Sequence, residues 1–247
     1  MPALELVCCM GAGYEGLPLD LLKSRGIVTA NGAGTNDDCV ADHAFGLIIG
    51  IIRGMHTLDR QCRAGVWREE IPQPANVSGK KLGIFGLGTI GQKIAKRAAG
   101  FDMPVGYHNR KPKEGAPYRY ATSLVELARW SDVLVCATPG GPATRHAVNA
   151  QVLDALGPRG YLINISRGSV VDTEALASAL REKRIAGAGL DVYESEPLRP
   201  ESLIGLDNVL LTPHMAGWSP EATQASLDRF MANAAGHFAG LGVVSPI

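Results

Sequence analysis

Lys81-Leu82-Gly83-Ile84-Phe85-Gly86-Leu87-Gly88-Thr89-Ile90-Gly91 decides how the chain is read. An apolar run ends in Gly-Leu-Gly-Thr-Ile-Gly, and an amphipathic segment, 92–99, follows at once. That order is strand, tight turn, helix. The three glycines have separate physical duties at such a turn. Gly86 permits the sharp bend, Gly88 lets backbone approach a pyrophosphate, and Gly91 lets the helix lie close to the strand. The N–H groups of Leu87 to Ile90 then face the phosphates, with the positive end of the helix behind them. The spacing alone is weak, because glycine-rich turns are common. Its place between a strand and a helix makes it a dinucleotide site rather than an ordinary turn.

Downstream, the pattern alternates. Strands are expected at 103–107, 132–137, 161–165, 186–190 and 209–211. Helices are expected at 123–129, 149–156, 172–181 and 219–239. Ser123, with Glu126 three residues on, reads as a capping box, Asp172 as a cap, and Pro220 as a first-turn residue. Short strands alternating with helices mean a doubly wound parallel sheet in an α/β chain.

Upstream, 4–9 is a short apolar strand that ends in a small-residue loop, Gly11-Ala12-Gly13. A helix at 20–25 stops at Gly26, and 27–29 is a second strand. Residues 31–36 are turn-rich and read as a hinge. Residues 40–64 read as one long helix with Phe45, Ile48, Ile49 and Ile52 at helical spacing. Gly46, Gly50 and Gly54 recur every four residues. Each costs about 1 kcal/mol against Ala inside a helix, so the row suggests close helix–helix contact, internal or between subunits. The expected domains are 35–218 for the nucleotide, and 1–34 with 219–247 as a second, smaller one.

Composition narrows the class. The chain has 247 residues, 46% hydrophobic and 19% charged, with a formal net charge of +0. Nothing in that balance suggests a nucleic-acid or membrane partner. The longest apolar run, 44–52, is too short to span a bilayer. Pro2 and Glu5 stand where an export signal carries basic residues, so none is expected. Cys8, Cys9, Cys39, Cys62 and Cys136 form no metal-binding spacing and read as reduced, buried small residues of a cytoplasmic protein.

Ligands bind beyond the carboxyl ends of the strands in such a sheet. After 103–107 come His108, Asn109, Arg110 and Lys111. An NAD site places a carboxylate there for the ribose 2′-OH; the cations here suit the 2′-phosphate of NADP, with NAD possible. After 132–137 come Thr138 and Pro139, and later Thr144, Arg145 and His146; Ala137, Thr138, Pro139 and Thr144 suit a ribose lying against backbone. His146 reads as a surface or capping residue. Ile165, Ser166 and Arg167 follow the next strand, and Gly168 follows Arg167. The guanidinium there presents a fork that fits a carboxylate and polarises a carbonyl, the bland alternative being a structural salt bridge. Asp191, Glu194 and Glu196 follow 186–190, and His214, Ala216 and Gly217 follow 209–211. A carboxylate beside a His makes a good proton donor, and spacing allows either Glu194 or Glu196 for His214. His237 reads as a satisfied core residue. No metal-ligand spacing and no nucleophile elbow occur.

Four stretches together resemble the D-isomer-specific 2-hydroxyacid dehydrogenase family, in particular its glyoxylate/hydroxypyruvate and hydroxyphenylpyruvate reductases. They are Gly86 to Gly91, Asn164-Ile165-Ser166-Arg167-Gly168-Ser169-Val170-Val171-Asp172, Asp191-Val192-Tyr193-Glu194-Ser195-Glu196-Pro197, and Thr212-Pro213-His214-Met215-Ala216-Gly217. The resemblance implies a Rossmann cofactor domain beside a smaller, incomplete flavodoxin-like substrate domain, and a homodimer built on the helix from Val40. It implies Arg167 as binder of a small 2-oxo acid, His214 as proton donor, Glu196 rather than Glu194 as its partner, and Asp191 near the nicotinamide carboxamide. It implies Gly11, Ala12 and Gly13 as a cradle for the substrate carboxylate, with Arg167 and His214 completing the substrate site. The chain begins where the family has further strands, so an N-terminal portion is expected to be missing. Two other readings share the motifs: a co-repressor-like nucleotide-binding protein, and a truncated homologue that binds nucleotide without turnover.

Overall fold

A computed structural model of the chain describes Met1 and residues 3–247. Pro2, one of the two residues that argue against an export signal, lies outside the described residues. The chain divides into two compact units, residues 1–39 with 217–247 and residues 40–216.

The smaller unit holds β1 (Leu6–Cys8) paired in parallel with β2 (Val28–Ala30), joined through α1 (Leu19–Ser24), and α8 (Pro220–Phe238). Ser219 caps α8, its hydroxyl accepting from Ala222 N. Asn233 on α8 is fully buried. Its amide donates to Ser245 Oγ and its carbonyl accepts from the N–H groups of Val244 and Ser245. Residues 31–36, read as a hinge, are tied into this unit. Asn31 N donates to Ser245 O, Asn31 Nδ2 to Ala12 O, and Thr35 Oγ1 to Gly32 O.

The larger unit is a seven-stranded sheet made of β3 (Leu82–Phe85), β4 (Val105–His108), β5 (Arg119–Tyr120), β6 (Val133–Cys136), β7 (Tyr161–Asn164), β8 (Gly187–Leu190) and β9 (Val209–Leu211). The order is β5-β4-β3-β6-β7-β8-β9, and every pairing is parallel. Strand order reverses between β3 and β6, which opens a crevice at their carboxyl ends. α2 (Asp37–Ile52) and α4 (Thr89–Ala98) pack with Leu82, Ile84, Val133, Val135 and Ile163 on one face. α5 (Leu124–Trp130), α6 (Ala150–Leu156) and α7 (Thr173–Arg181) pack with Phe85, Leu134, Cys136, Leu162 and Leu190 on the other. Successive strand residues enter opposite cores, as a period of two requires. Ser123, Asn149 and Asp172 cap the three helices of the second face. The capping box at Ser123 is shifted by one residue: Glu126 accepts from the N–H of Thr122, not of Ser123.

Three expectations are corrected, and one strand is new. The helix expected over 40–64 is two helices, because Gly54 adopts φ 61 and ends the first; α3 (Met55–Arg63) starts after it. The glycine row is not one packing stripe. Gly46 faces open space, Gly50 sits against Leu210, and Gly54 makes the break. The close approach of α2 is to β8, where side chains at Gly187 and Gly189 would meet Ile51 and Leu47. Of the five cysteines only Cys136 is buried; Cys62 is exposed and the others are intermediate. The short edge strand β5 was not anticipated, since two residues carry no readable period.

Candidate active site

The glycine turn lies at the crevice between β3 and β6. Gly86 has φ 104, and a side chain there would fall 2.7 Å from Ala137 O and 2.8 Å from Thr138 Cα. Ala137 N in turn donates to Phe85 O at 2.8 Å. A side chain at Gly91 would fall 2.2 Å from Gly86 O, so the helix lies directly on the turn. Gly88 faces open space. The first turn of α4, with Thr89, Ile90 and Gly91, has no side-chain cap, unlike α5, α6 and α7. An open glycine before uncapped N–H groups fits a phosphate. One expected donor is corrected: Leu87 N–H is spent on Asn109 Oδ1 at 2.8 Å. Asn109 thus braces the turn from the end of β4, and Tyr120 Oη holds Asn109 O at 3.2 Å. Arg110 and Lys111 follow, both exposed and without an acidic partner among the described residues. The loop after β6 is folded on itself, with Thr144 Oγ1 donating to Pro139 O at 2.8 Å.

Past β7, buried Asn164 shapes the arginine tip. Its carbonyl accepts from Ser166 N and Ser166 Oγ, and its amide donates to Arg167 O. Ile165 and Ser166 are buried, and half-buried Arg167 donates from Nη1 to Ser166 O at 2.7 Å. A side chain at Gly168 would fall 2.0 Å from the carbonyl carbon of Tyr193. The arginine tip therefore rests on the turn that follows β8.

That turn carries both glutamates, and they diverge. Glu196 Oε2 lies 2.8 Å from His214 Nδ1, while Glu196 Oε1 accepts from Tyr193 N at 2.7 Å. Glu194 turns the other way, to His146 Nε2 at 2.7 Å and to the N–H and hydroxyl of Thr173. Burial alone would raise the Glu194 carboxyl; the bonds from His146 and Thr173 outweigh it and hold the group below its ordinary range.

Asp191 is almost wholly buried. It accepts from Thr212 Oγ1, from Met215 N at 2.8 Å and from Ala216 N at 2.8 Å, with His43 Nε2 at 3.3 Å. Burial pushes its carboxyl up, but His43, Thr212 and the two N–H groups prevail and keep it lowered. Its observed work is to hold the loop that carries His214, whose backbone stands at φ 55. His43 on α2, Tyr193 and Asn164 were not singled out from sequence. Tyr193 Oη pins Thr212 O at 2.7 Å. An ionisable His43 on an otherwise apolar helix face was the one signal that could have flagged this brace.

A cavity of about 760 Å³ adjoins the His214–Glu196 pair, walled by Tyr193, Pro197, Leu198, Ile204 and Leu211. Neither Arg167 nor the glycine turn borders it. Gly11, Ala12, Gly13 and Gly217 belong to the smaller unit. There Gly11 O accepts from Gly32 N, and Ala12 O from Asn31 Nδ2. Among the described residues no group of His, Cys, Asp and Glu could hold a metal ion, and no helix is long and apolar enough to cross a membrane.

Residues 45–216 match the family described as D-isomer specific 2-hydroxyacid dehydrogenase, NAD binding domain. Over its whole length the chain is 42% identical to a hydroxyphenylpyruvate reductase of Plectranthus scutellarioides, covering 79% of it. It is equally similar to a glyoxylate/hydroxypyruvate reductase of Arabidopsis thaliana, at 42% identity and 79% coverage. Among solved structures, an NADPH-dependent glyoxylate/hydroxypyruvate reductase of Sinorhizobium meliloti, in complex with NADP and malonate, superposes with a TM-score of 0.94. It is 40% identical, and the match covers all of this chain and 78% of that one. With its parallel sheet, glycine turn and His–Glu pair, the chain belongs to the D-isomer-specific 2-hydroxyacid dehydrogenase family.

Proposed function

We propose that the chain reduces a small 2-oxo acid of the glyoxylate or hydroxypyruvate kind to the D-2-hydroxy acid, with NADPH as reductant. The observation that carries this reading is the 2.8 Å contact between His214 Nδ1 and Glu196 on a loop braced by Asp191. A bound nicotinamide nucleotide supplies the hydride that reaches C2 of the substrate. Gly86, Gly88, Thr89, Ile90 and Gly91 would hold its pyrophosphate, and Ala137, Thr138, Pro139 and Thr144 would flank its ribose. Ile165, Ser166, Asp191, Ala216 and Gly217 would border the nicotinamide.

Arg167 binds the carboxylate of the 2-oxo acid and draws electron density from the carbonyl, as a guanidinium fork does. His214 donates its proton to the carbonyl oxygen as the alkoxide charge develops, and Glu196 fixes the ring in the orientation that allows it. The cradle Gly11-Ala12-Gly13 receives the substrate carboxylate. Gly11 O and Ala12 O are engaged by Gly32 N and Asn31 Nδ2, which supports that role by fixing the loop. Arg110 and Lys111 favour the 2′-phosphate of NADPH, with NADH a poorer substitute.

We also propose a homodimer in the cytoplasm. From residue 55 to residue 76 no residue is buried, and Trp67 is 65% exposed, which supports a partner surface there. All five cysteines are free, which suits a reducing compartment.

The test is NADPH oxidation, followed spectroscopically, with glyoxylate, hydroxypyruvate and a phenylpyruvate. Turnover with at least one supports the reading. NADPH binding without turnover of any would replace it with a nucleotide-binding protein that performs no chemistry.

A further inference from the structure

We infer that Glu194 and His146 form a clasp that positions both the Glu196–His214 pair and Arg167. The inference rests on the reading of His214 as the proton donor. Glu194 and Glu196 stand two residues apart on one turn, and each takes its own imidazole, at 2.7 and 2.8 Å. The turn is therefore held at two points. Glu196 faces the proposed proton donor, and Glu194 faces His146 and the first residue of α7.

The far side of the clasp is well anchored. His146 stands at φ 49, a left-handed backbone that L-residues adopt only at a cost. Its N–H donates to Ser169 O at 2.8 Å, and Val148 N follows with a bond to Val170 O. His146 is thus stitched to the segment that directly follows Arg167. Around its ring lie Glu194 on one side and Asp172 Oδ2 at 4.0 Å on the other, with Arg145 3.6 Å from the same Glu194 oxygen. The second Glu194 oxygen takes both donors of Thr173, the first residue of α7.

The near side is a backbone contact with no slack. Gly168 abuts Tyr193 and Glu194 so closely that a methyl group would fall within 2.4 Å of three of their backbone atoms. Tyr193 N is itself bonded to Glu196 Oε1. A shift of Glu194 moves Tyr193, and with it both the seat of Arg167 and the carboxylate that holds His214. Catalytic geometry is sensitive to displacements of this kind, with about 10²-fold in rate for roughly 1 Å. Glu194 and His146 are positioning residues: they act through Glu196 and Arg167.

The test compares wild type with Glu194→Ala, Glu194→Gln, His146→Ala and the Glu194→Ala/His146→Ala double variant. Each is measured for kcat and KM with glyoxylate, for NADPH affinity, and for the Cε1–H proton resonance of His214, assigned by its absence in His214→Asn. The clasp predicts that Glu194→Ala lowers kcat by about 10- to 100-fold. NADPH affinity stays within about twofold, and the His214 resonance moves. The double variant is no worse than the single ones, and Glu194→Gln, which still accepts from Thr173, recovers most of the rate. An unchanged kcat together with an unmoved His214 resonance in Glu194→Ala overturns the clasp. Strictly additive losses in the double variant overturn it as well. If wild type turns over no 2-oxo acid while the resonance still moves in Glu194→Ala, the clasp stands and the reductase reading falls.

Discussion

Asp191 and Glu196 divide the support of His214 between them, one holding the loop and the other the ring. Asp191 is the buried partner and accepts three hydrogen bonds from residues 212–216. Its folded carboxyl is held below its ordinary value of 3.8, so the ionised form is the one the fold prefers. A depressed acid contributes stability that is present above the unfolded value and is lost as pH falls through the folded one. Asp191→Asn should therefore lower thermal stability at neutral pH, by about 2 kcal/mol for a buried acceptor set partly lost. The gap to wild type should close below pH 3.8; thermal melts at neutral and acid pH decide it, and a gap that persists in acid contradicts the assignment. At the cofactor end, Arg110→Glu should weaken NADPH by about 10- to 100-fold, while NADH changes little. Equal losses in titrations with both nucleotides would remove the 2′-phosphate role. These residues were legible to different degrees. His214, Arg167 and Arg110 stand out in the sequence because each lies two or three residues past the end of a strand. The choice between Glu194 and Glu196 was not readable from spacing, since both lie on one turn and a second imidazole, His146, enters from 48 residues away.

Elements in this chain are positioned by where side chains are missing as much as by where they pack. Gly168 lets the arginine tip rest on the turn after β8, and no larger residue fits there without moving backbone. Gly168→Ala should destabilise by about 2–3 kcal/mol, as overpacking against rigid neighbours does, and should lower kcat with it. A melt unchanged from wild type would show that the contact has slack. Asp172→Ala, by contrast, removes one helix cap from α7, whose Oδ1 accepts from Ala175 N at 3.0 Å, and should cost about 1 kcal/mol. The helix expected from Val40 to Ala64 shows where pattern reading stops. Its apolar period continues past Gly54, but a left-handed glycine is a conformational choice that hydrophobic spacing does not report. The glycine row misled for a related reason. The space that α2 needs is provided by Gly187 and Gly189 on β8, far away in sequence. The Leu87 N–H was assigned to phosphate because a motif cannot show that Asn109 competes for it.

In the larger unit two apolar cores sandwich the seven-stranded parallel sheet, and alternation of short strands with helices was enough to anticipate that. The strand order was not written in any local pattern. It places β4 and β5 on one side of β3 and the later strands on the other. The exposed stretch from residue 55 to residue 76 makes a prediction at this scale. Trp67→Glu should shift the proposed dimer to monomer in sedimentation, and an unchanged mass would move the interface elsewhere. The proposed reaction turns on His214 giving a proton to a carbonyl oxygen in a chain that binds NADPH. The most direct measurement is the rate of NADPH oxidation by His214→Ala against wild type with the best 2-oxo acid, alongside NADPH affinity. The expected result is a loss of kcat of about 10²–10⁴-fold with nucleotide affinity within about twofold of wild type. A variant that turns over as fast as wild type would contradict it.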